Sequence, residues 1–122
     1  MSIMIYTSYY GNLKNLPLEK CLAISQGVPS FYEGAKDVRL APPWHMVRNA
    51  KDYEPEEWRN IYFQQLDRFD PEEIAMIVNE KILLCWEKPG DRCHRHYVID
   101  WLRFKGISVT SMEWGNDQES FL

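Results

Sequence analysis

The chain is expected to fold as a single α/β domain with a mostly parallel sheet flanked by helices, and three observations carry that expectation. Short apolar or β-branched runs at residues 3–9, 21–25, 82–86 and 107–112 have the length and composition of strands. They alternate with segments whose apolar residues recur every three or four positions, as in helices packed on one face. Strands that alternate with helices are joined by crossovers, and crossovers set neighbouring strands parallel. At 122 residues there is chain enough for one ordinary core and too little for two, so residues 1–122 are read as one domain.

Residues 3–9 form the first strand, with Tyr6 and Ser8 on one face and Ile5, Thr7 and Tyr9 on the other, and Gly11-Asn12 ends it. Residues 13–20 read equally as a short helix or a loop, since Pro17 divides them. The run CLAIS at 21–25 is the second strand, closed by Gly27 and Pro29, with Cys21 as a small buried hydrophobe. Residues 28–52 are the least regular stretch, punctuated by Pro29, Gly34, Pro42 and Pro43, with Phe31, Tyr32 and Trp44 scattered through it. Such a length of loop in a compact domain is commonly functional, so it is expected to wall the site. Its polar contributors would be Arg39, His45 and Arg48, against a surface role for each taken alone. Trp44 beside Pro42-Pro43 reads as a packing anchor rather than a stacking platform.

Pro55 suits a first helical position and Glu56 and Glu57 suit the positive end of a helix dipole. Trp58, Ile61, Tyr62, Gln65, Leu66 and Phe69 then make an inward stripe. Asp70-Pro71-Glu72-Glu73 repeats this grammar, with Asp70 as N-cap and Glu73 in the capping-box position, ahead of a core side of Ile74, Ile77 and Val78. Capping accounts for these acidic residues, which argues against a catalytic carboxylate pair among them. The run ILLCW at 82–86 reads as a strand covered on both faces. After a loop containing Pro89-Gly90, Tyr97, Val98, Trp101 and Leu102 recur at helical spacing up to Gly106, which stands where a left-handed C-cap would stop the helix. Residues 107–112 are the last strand, reached by a right-handed crossover in a Rossmann-like layering, and the polar tail after Met112 is expected to fray.

The chemistry-bearing residues concentrate around that last loop. Residues two apart in a strand share a face, so Cys85 and Glu87 point the same way at the strand's carboxyl end. His94 lies four residues before Val98 and seven before Trp101 and so faces inward; Cys93, four before Tyr97, shares that side. His96 aligns with Asp100 and Arg103 and faces solvent. Two thiols, a carboxylate, an imidazole and the Arg95 guanidinium thus converge where helix amides and dipole favour an anion or a thiolate. Ligands of parallel sheets bind beyond the carboxyl ends of the strands. That rule adds Thr7, Ser8, Tyr9 and Tyr10 from the first strand and Ser25 and Gln26 from the second, although a Ser or Thr at a strand end is more often a turn former.

The stretch LLCWEKPGDRCHRHYVIDWL at 83–102 closely resembles the signature of the DUF488 family, which runs Leu-Leu-Cys-x-Glu, a Pro-containing spacer, Cys-His-Arg-His and an apolar helix ending in Trp-Leu. The blocks IYTSYYGN at 5–12, ISQGVPSFY at 24–32 and LAPPWHMV at 40–47 are similar to the other blocks of the short branch of that family, in the same order. The resemblance spans nearly the whole chain. It implies no particular activity, because the family is named for having no established function.

Three classes of function fit these residues. A binder of a small anionic or nucleotide-type ligand, acting as an enzyme if chemistry follows, would hold the anion with Arg95, Arg39, Ser8, Tyr9 and Ser25 and use Cys93, Glu87 or His94 for nucleophilic or proton-transfer work. A zinc or iron site would use Cys85, Cys93 and His94 with Glu87 as a fourth ligand, although neither Cys-x-x-Cys nor His-x-x-x-His spacing is present. A non-catalytic binding protein would use the motif as a structural lock, with the cysteine packed, His94 on a backbone carbonyl and Arg95 paired with Glu87. The formal net charge of -4 argues against general binding to a nucleic-acid backbone. No apolar run reaches bilayer length and residues 1–10 lack a secretory pattern, so a cytoplasmic protein without a membrane partner is expected. Three cysteines cannot all pair with one another, and their placement does not look like a disulfide framework.

Overall fold

The structure is a computed structural model that describes residues 2–86 and 94–115. Its frame is a five-stranded, all-parallel sheet built from β1 (Ser2–Tyr9), β2 (Cys21–Ala23), β3 (Ala35–Lys36), β4 (Ile82–Cys85) and β5 (Ser108–Glu113). The strands lie in the order β3-β2-β4-β1-β5. The α-helices among the described residues are α1 (Trp44–Arg48), α2 (Pro55–Leu66), α3 (Pro71–Val78) and α4 (His94–Phe104). Single turns of 3-10 helix at Leu18–Lys20, Val38–Leu40 and Ala50–Asp52, and a longer one at Tyr10–Asn15, complete the connections.

β4 is the centre of the sheet, and all four of its residues are fully buried. Its period of two deals them to two different layers. Leu83 joins Ile3, Ile5, Leu22 and Ile24 against Trp58, Leu66, Val98 and Leu102, which come from α2 and α4. Ile82 and Leu84 face the other way, with Cys21 and Ala23, against Tyr10 and Tyr32. The α-helices therefore cover one face of the sheet, while 3-10 turns and aromatic rings cover the other. A short connection of this kind suffices on the second face because β1 to β2 needs only 11 residues, too few for a long helix and two turns.

α2 buries Trp58, Tyr62 and Leu66, one row of residues four apart. Ile61 was expected in the same stripe but is 38% exposed, because it stands at the edge of that row and faces a cleft rather than the core. Two polar-tipped aromatics on α2 order the segment expected to be irregular. Trp58 Nε1 donates to the Met46 carbonyl at 2.8 Å and Tyr62 Oη donates to the Leu40 carbonyl at 2.5 Å, both inside the core. Residues 28–52 consequently hold β3, two 3-10 turns and α1 instead of open loop.

Asp70 caps α3 as expected, accepting from the Glu72 amide at 3.1 Å. Glu73, placed in the capping-box position by sequence, instead reaches Arg39 at 3.4 Å. α4 ends on Gly106 at φ +87, with Gly106 donating to the Arg103 carbonyl and Ile107 to the Leu102 carbonyl, each at 3.0 Å. That pair of bonds is the Schellman arrangement, which glycine adopts without a Cβ penalty. β5 does not pair with β4: it lies on the far side of β1, in register from Ser2↔Ser108 to Thr7↔Glu113. The Trp114 amide then donates to the Thr7 carbonyl and its ring packs on Tyr6 with centroids 4.8 Å apart, so the start of the expected frayed tail is held in place. Residues 116–122 lie outside the described residues. Among the described residues no helix is long and apolar enough to cross a membrane.

Candidate functional site

The strand order creates a crevice. The chain steps from β1 past β4 to β2 and on to β3, then returns to β4 and crosses β1 to reach β5. With right-handed crossovers, steps in opposite directions leave on opposite faces, so the chain parts above the carboxyl ends of β4 and both its neighbours. The buried polar or charged side chains among the described residues are Thr7, Ser8, Ser25, His94 and Arg95. All of them come from the carboxyl ends of β1 and β2 or from the first turn of α4, the end of the sheet at which such a crevice opens.

Hydroxyls line one side. Ser25 Oγ donates to the Gly27 carbonyl at 2.7 Å, which spends its only proton, so in the 2.6 Å contact between Tyr10 Oη and Ser25 Oγ the phenol is the donor. Ser8 Oγ accepts from Asn12 Nδ2 at 3.3 Å. Trp86 Nε1 donates to the same Gly27 carbonyl at 3.0 Å, and its ring meets Tyr10 edge-on at 4.9 Å. Gly27 is constrained by close approach: a Cβ there would come within 3.2 Å of the Trp44 ring.

The other side is made by α4 and β4. His94 is the first residue of α4 and nearly fully buried; its Nε2 bonds the Ile24 carbonyl, and because a carbonyl only accepts, Nε2 carries the proton. Burial pushes the imidazole pKa down to about 4, nearby Arg95 adds in the same direction, and the bond to Ile24 opposes both. The ring packs edge-on against Tyr62 with centroids 5.7 Å apart. Arg95, expected as an accessible anion-binding group, is 0% exposed, and its guanidinium donates to Cys85 Sγ inside the core. Its phase explains this: Arg95 is four residues before Ile99 and seven before Leu102, both buried, so it shares their side of the helix. Cys85 is disulfide-bonded, although the placement of the cysteines in the sequence does not look like a disulfide framework. Cys21 is free and buried, its thiol pushed up to about 11 by burial and then by Glu19.

The cavity enclosed by Ser25, Gly27, Pro42, Trp44, Cys85 and His94 is about 20 Å³, room for roughly one water. Trp44 and Trp86 stand half-exposed at its edge, at 51% and 52%. Trp44, expected as a packing anchor, packs over Gly27, where no side chain holds it off, but keeps half its surface exposed. A second, open cleft of about 440 Å³ adjoins this cavity through Gln26 and is walled by residues of 38–48, by α2 and by the turn after it, including Arg39, His45 and Arg68.

The structure thus brings Ser25, Cys85, His94 and Arg95 together and leaves other candidates apart. Ser8 is buried at the end of β1. Tyr9 is half-buried and turns to pack on Gly11; Tyr10 supplies the hydroxyl instead, because β1 ends at Tyr9 and the following 3-10 turn re-aims the chain. Arg39 is held by Asp37 at 2.7 Å as well as by Glu73, and that pairing keeps the Asp37 carboxyl below its usual range. It borders the open cleft rather than the His94 cavity. His96 is exposed, in line with its helical phase. Glu87, Cys93 and Pro89-Gly90 lie outside the described residues. Among the described residues no group of three His, Cys, Asp or Glu side chains could hold a metal, and a Cys85 sulfur in a disulfide is not a thiolate ligand. Trp86 and Gln65 were missed as site residues; the indole directly after a buried strand end was the available signal for the first, and none existed for the second. Comparison with protein-family models, with curated proteins and with solved structures finds no match.

Proposed function

We propose that this chain binds a small anion-bearing ligand beside the carboxyl ends of β2 and β4, and that Cys85, His94 and Arg95 lock the floor of the site without catalysing a reaction. The observation that carries the lock is the burial of Arg95: a guanidinium at 0% exposure, donating to a sulfur within the core, is out of reach of an incoming anion. His94 supports the same reading. Neutral at ordinary pH and committed through Nε2 to the Ile24 carbonyl, it joins α4 to the end of β2 as a strut. A disulfide at Cys85 is neither a thiolate nucleophile nor a metal ligand, which weighs against the zinc or iron alternative. Ligand binding is supported by the half-exposed indoles of Trp44 and Trp86 over the strand ends and by the open cleft beside them, which Arg68 lines. On this reading the likeness to DUF488 reflects a shared scaffold of residues 1–122, in a cytoplasmic protein whose ligand is anionic or nucleotide-like.

The test is Arg95→Met, followed by denaturant midpoint and by calorimetric titration with inorganic phosphate. A lock predicts a loss of about 3 kcal/mol, the upper range for a hydrogen bond with a charged donor, with phosphate affinity unchanged while the protein stays folded. An unchanged midpoint together with lost phosphate binding would instead make Arg95 the anion's partner and remove the lock.

A further inference from the structure

We infer that the open cleft between α2 and residues 38–48 binds a small molecule carrying both N–H donors and a carboxylate or phosphate, of dipeptide or mononucleotide size. The inference rests on the ligand-binding reading above and adds the place and the chemistry. At about 440 Å³ the cleft falls within the size range of small-molecule sites, whereas the cavity at His94 holds roughly one water. Its floor is Met46 and Tyr62, almost fully buried.

Two amides set its polarity. Gln65 Nε2 donates to the Ala41 carbonyl at 2.8 Å and to the Arg39 carbonyl at 3.2 Å, and Gln26 Nε2 donates to the same Ala41 carbonyl at 3.3 Å. Carbonyls only accept, so both amides turn their nitrogens to the backbone, Gln65 spending both N–H groups and Gln26 one, and both Oε1 atoms are left to accept from a ligand. Arg68 and His45 also line the cleft. Arg68 is exposed and belongs to none of the ion pairs among the described residues, unlike Arg39, which two carboxylates neutralise. Acceptors and an uncommitted guanidinium in one cleft select a ligand that offers both complements. A bare anion would leave the glutamine oxygens without donors, and a bare amine would leave Arg68 without a counter-charge.

The intact protein would be titrated calorimetrically with adenosine 5′-monophosphate and with glycyl-leucine, which each carry both functions, with adenosine and glycyl-leucine amide, which lack the anion, and with methyl phosphate and acetate, which lack the donors. One of the two complete probes should bind about tenfold or more tightly than its own controls, and which one does so separates a phosphate source from a peptide carboxylate. Arg68→Ala should weaken that probe by about tenfold with its melting temperature unchanged, since the side chain is exposed. NMR should show shifts in the Gln26 and Gln65 side-chain amides. Binding that survives Arg68→Ala undiminished, or shifts confined to Ser25 and Trp86, would overturn this cleft and leave ligand binding at the strand ends standing. No binding of any probe, nor of inorganic phosphate, would overturn both.

Discussion

Replacing His94 by Gln should remove one pH-dependent part of the protein's stability. The folded imidazole has its pKa near 4, chiefly through burial, whereas in the unfolded chain it returns to the ordinary value of 6.5. Above pH 6.5 the ring is neutral in both states and its contribution is complete. Between pH 6.5 and 4 the unfolded chain takes up a proton that the folded protein refuses, so stability falls by about 1.4 kcal/mol per pH unit and by about 3 kcal/mol in all. Below pH 4 both states are protonated and the loss stops. Gln reaches the Ile24 carbonyl with its own Nε2 and does not titrate. Urea midpoints of the two proteins from pH 7.5 to 4.5 give the difference directly, since carboxylates titrate in both and cancel. The wild type should lose ground to His94→Gln throughout that window below pH 6.5. Parallel stability profiles would refute the reasoning, because they would mean that His94 is protonated as readily in the folded protein as in the unfolded chain.

Two further outcomes follow from buried or strained single positions. Tyr62→Phe removes the donor to the Leu40 carbonyl and should cost about 1–2 kcal/mol by urea midpoint, with looser hydrogen-exchange protection around residues 38–48; an unchanged midpoint would mean that the bond does not hold that segment. Gly106→Ala meets nothing within 4 Å, so any loss is backbone strain at φ +87, about 1 kcal/mol, and Gly106→Asn should cost less. Equal melting temperatures for all three would set aside the left-handed C-cap.

What the sequence alone determined is what depends on neighbours within a turn or two. The strand runs, the Asp70 cap, the Gly106 terminus and the inward phase of His94 all rest on backbone periodicity and local hydrogen bonding, which do not need the rest of the fold. Arg95 was legible by the same rule, through its alignment with Ile99 and Leu102, but a charged residue at a helix opening reads first as a binding group. Tertiary structure alone decided which surfaces met. It placed β1 between β4 and β5, turned Glu73 from its own helix end to Arg39, and ordered residues 28–52 through Trp58 and Tyr62. It also brought Gln26 and Gln65, far apart in the chain, onto one carbonyl of Ala41. Each of these contacts joins residues whose separation is set by the packing of whole elements, and a period of two or 3.6 carries no information about which element lies on the other side.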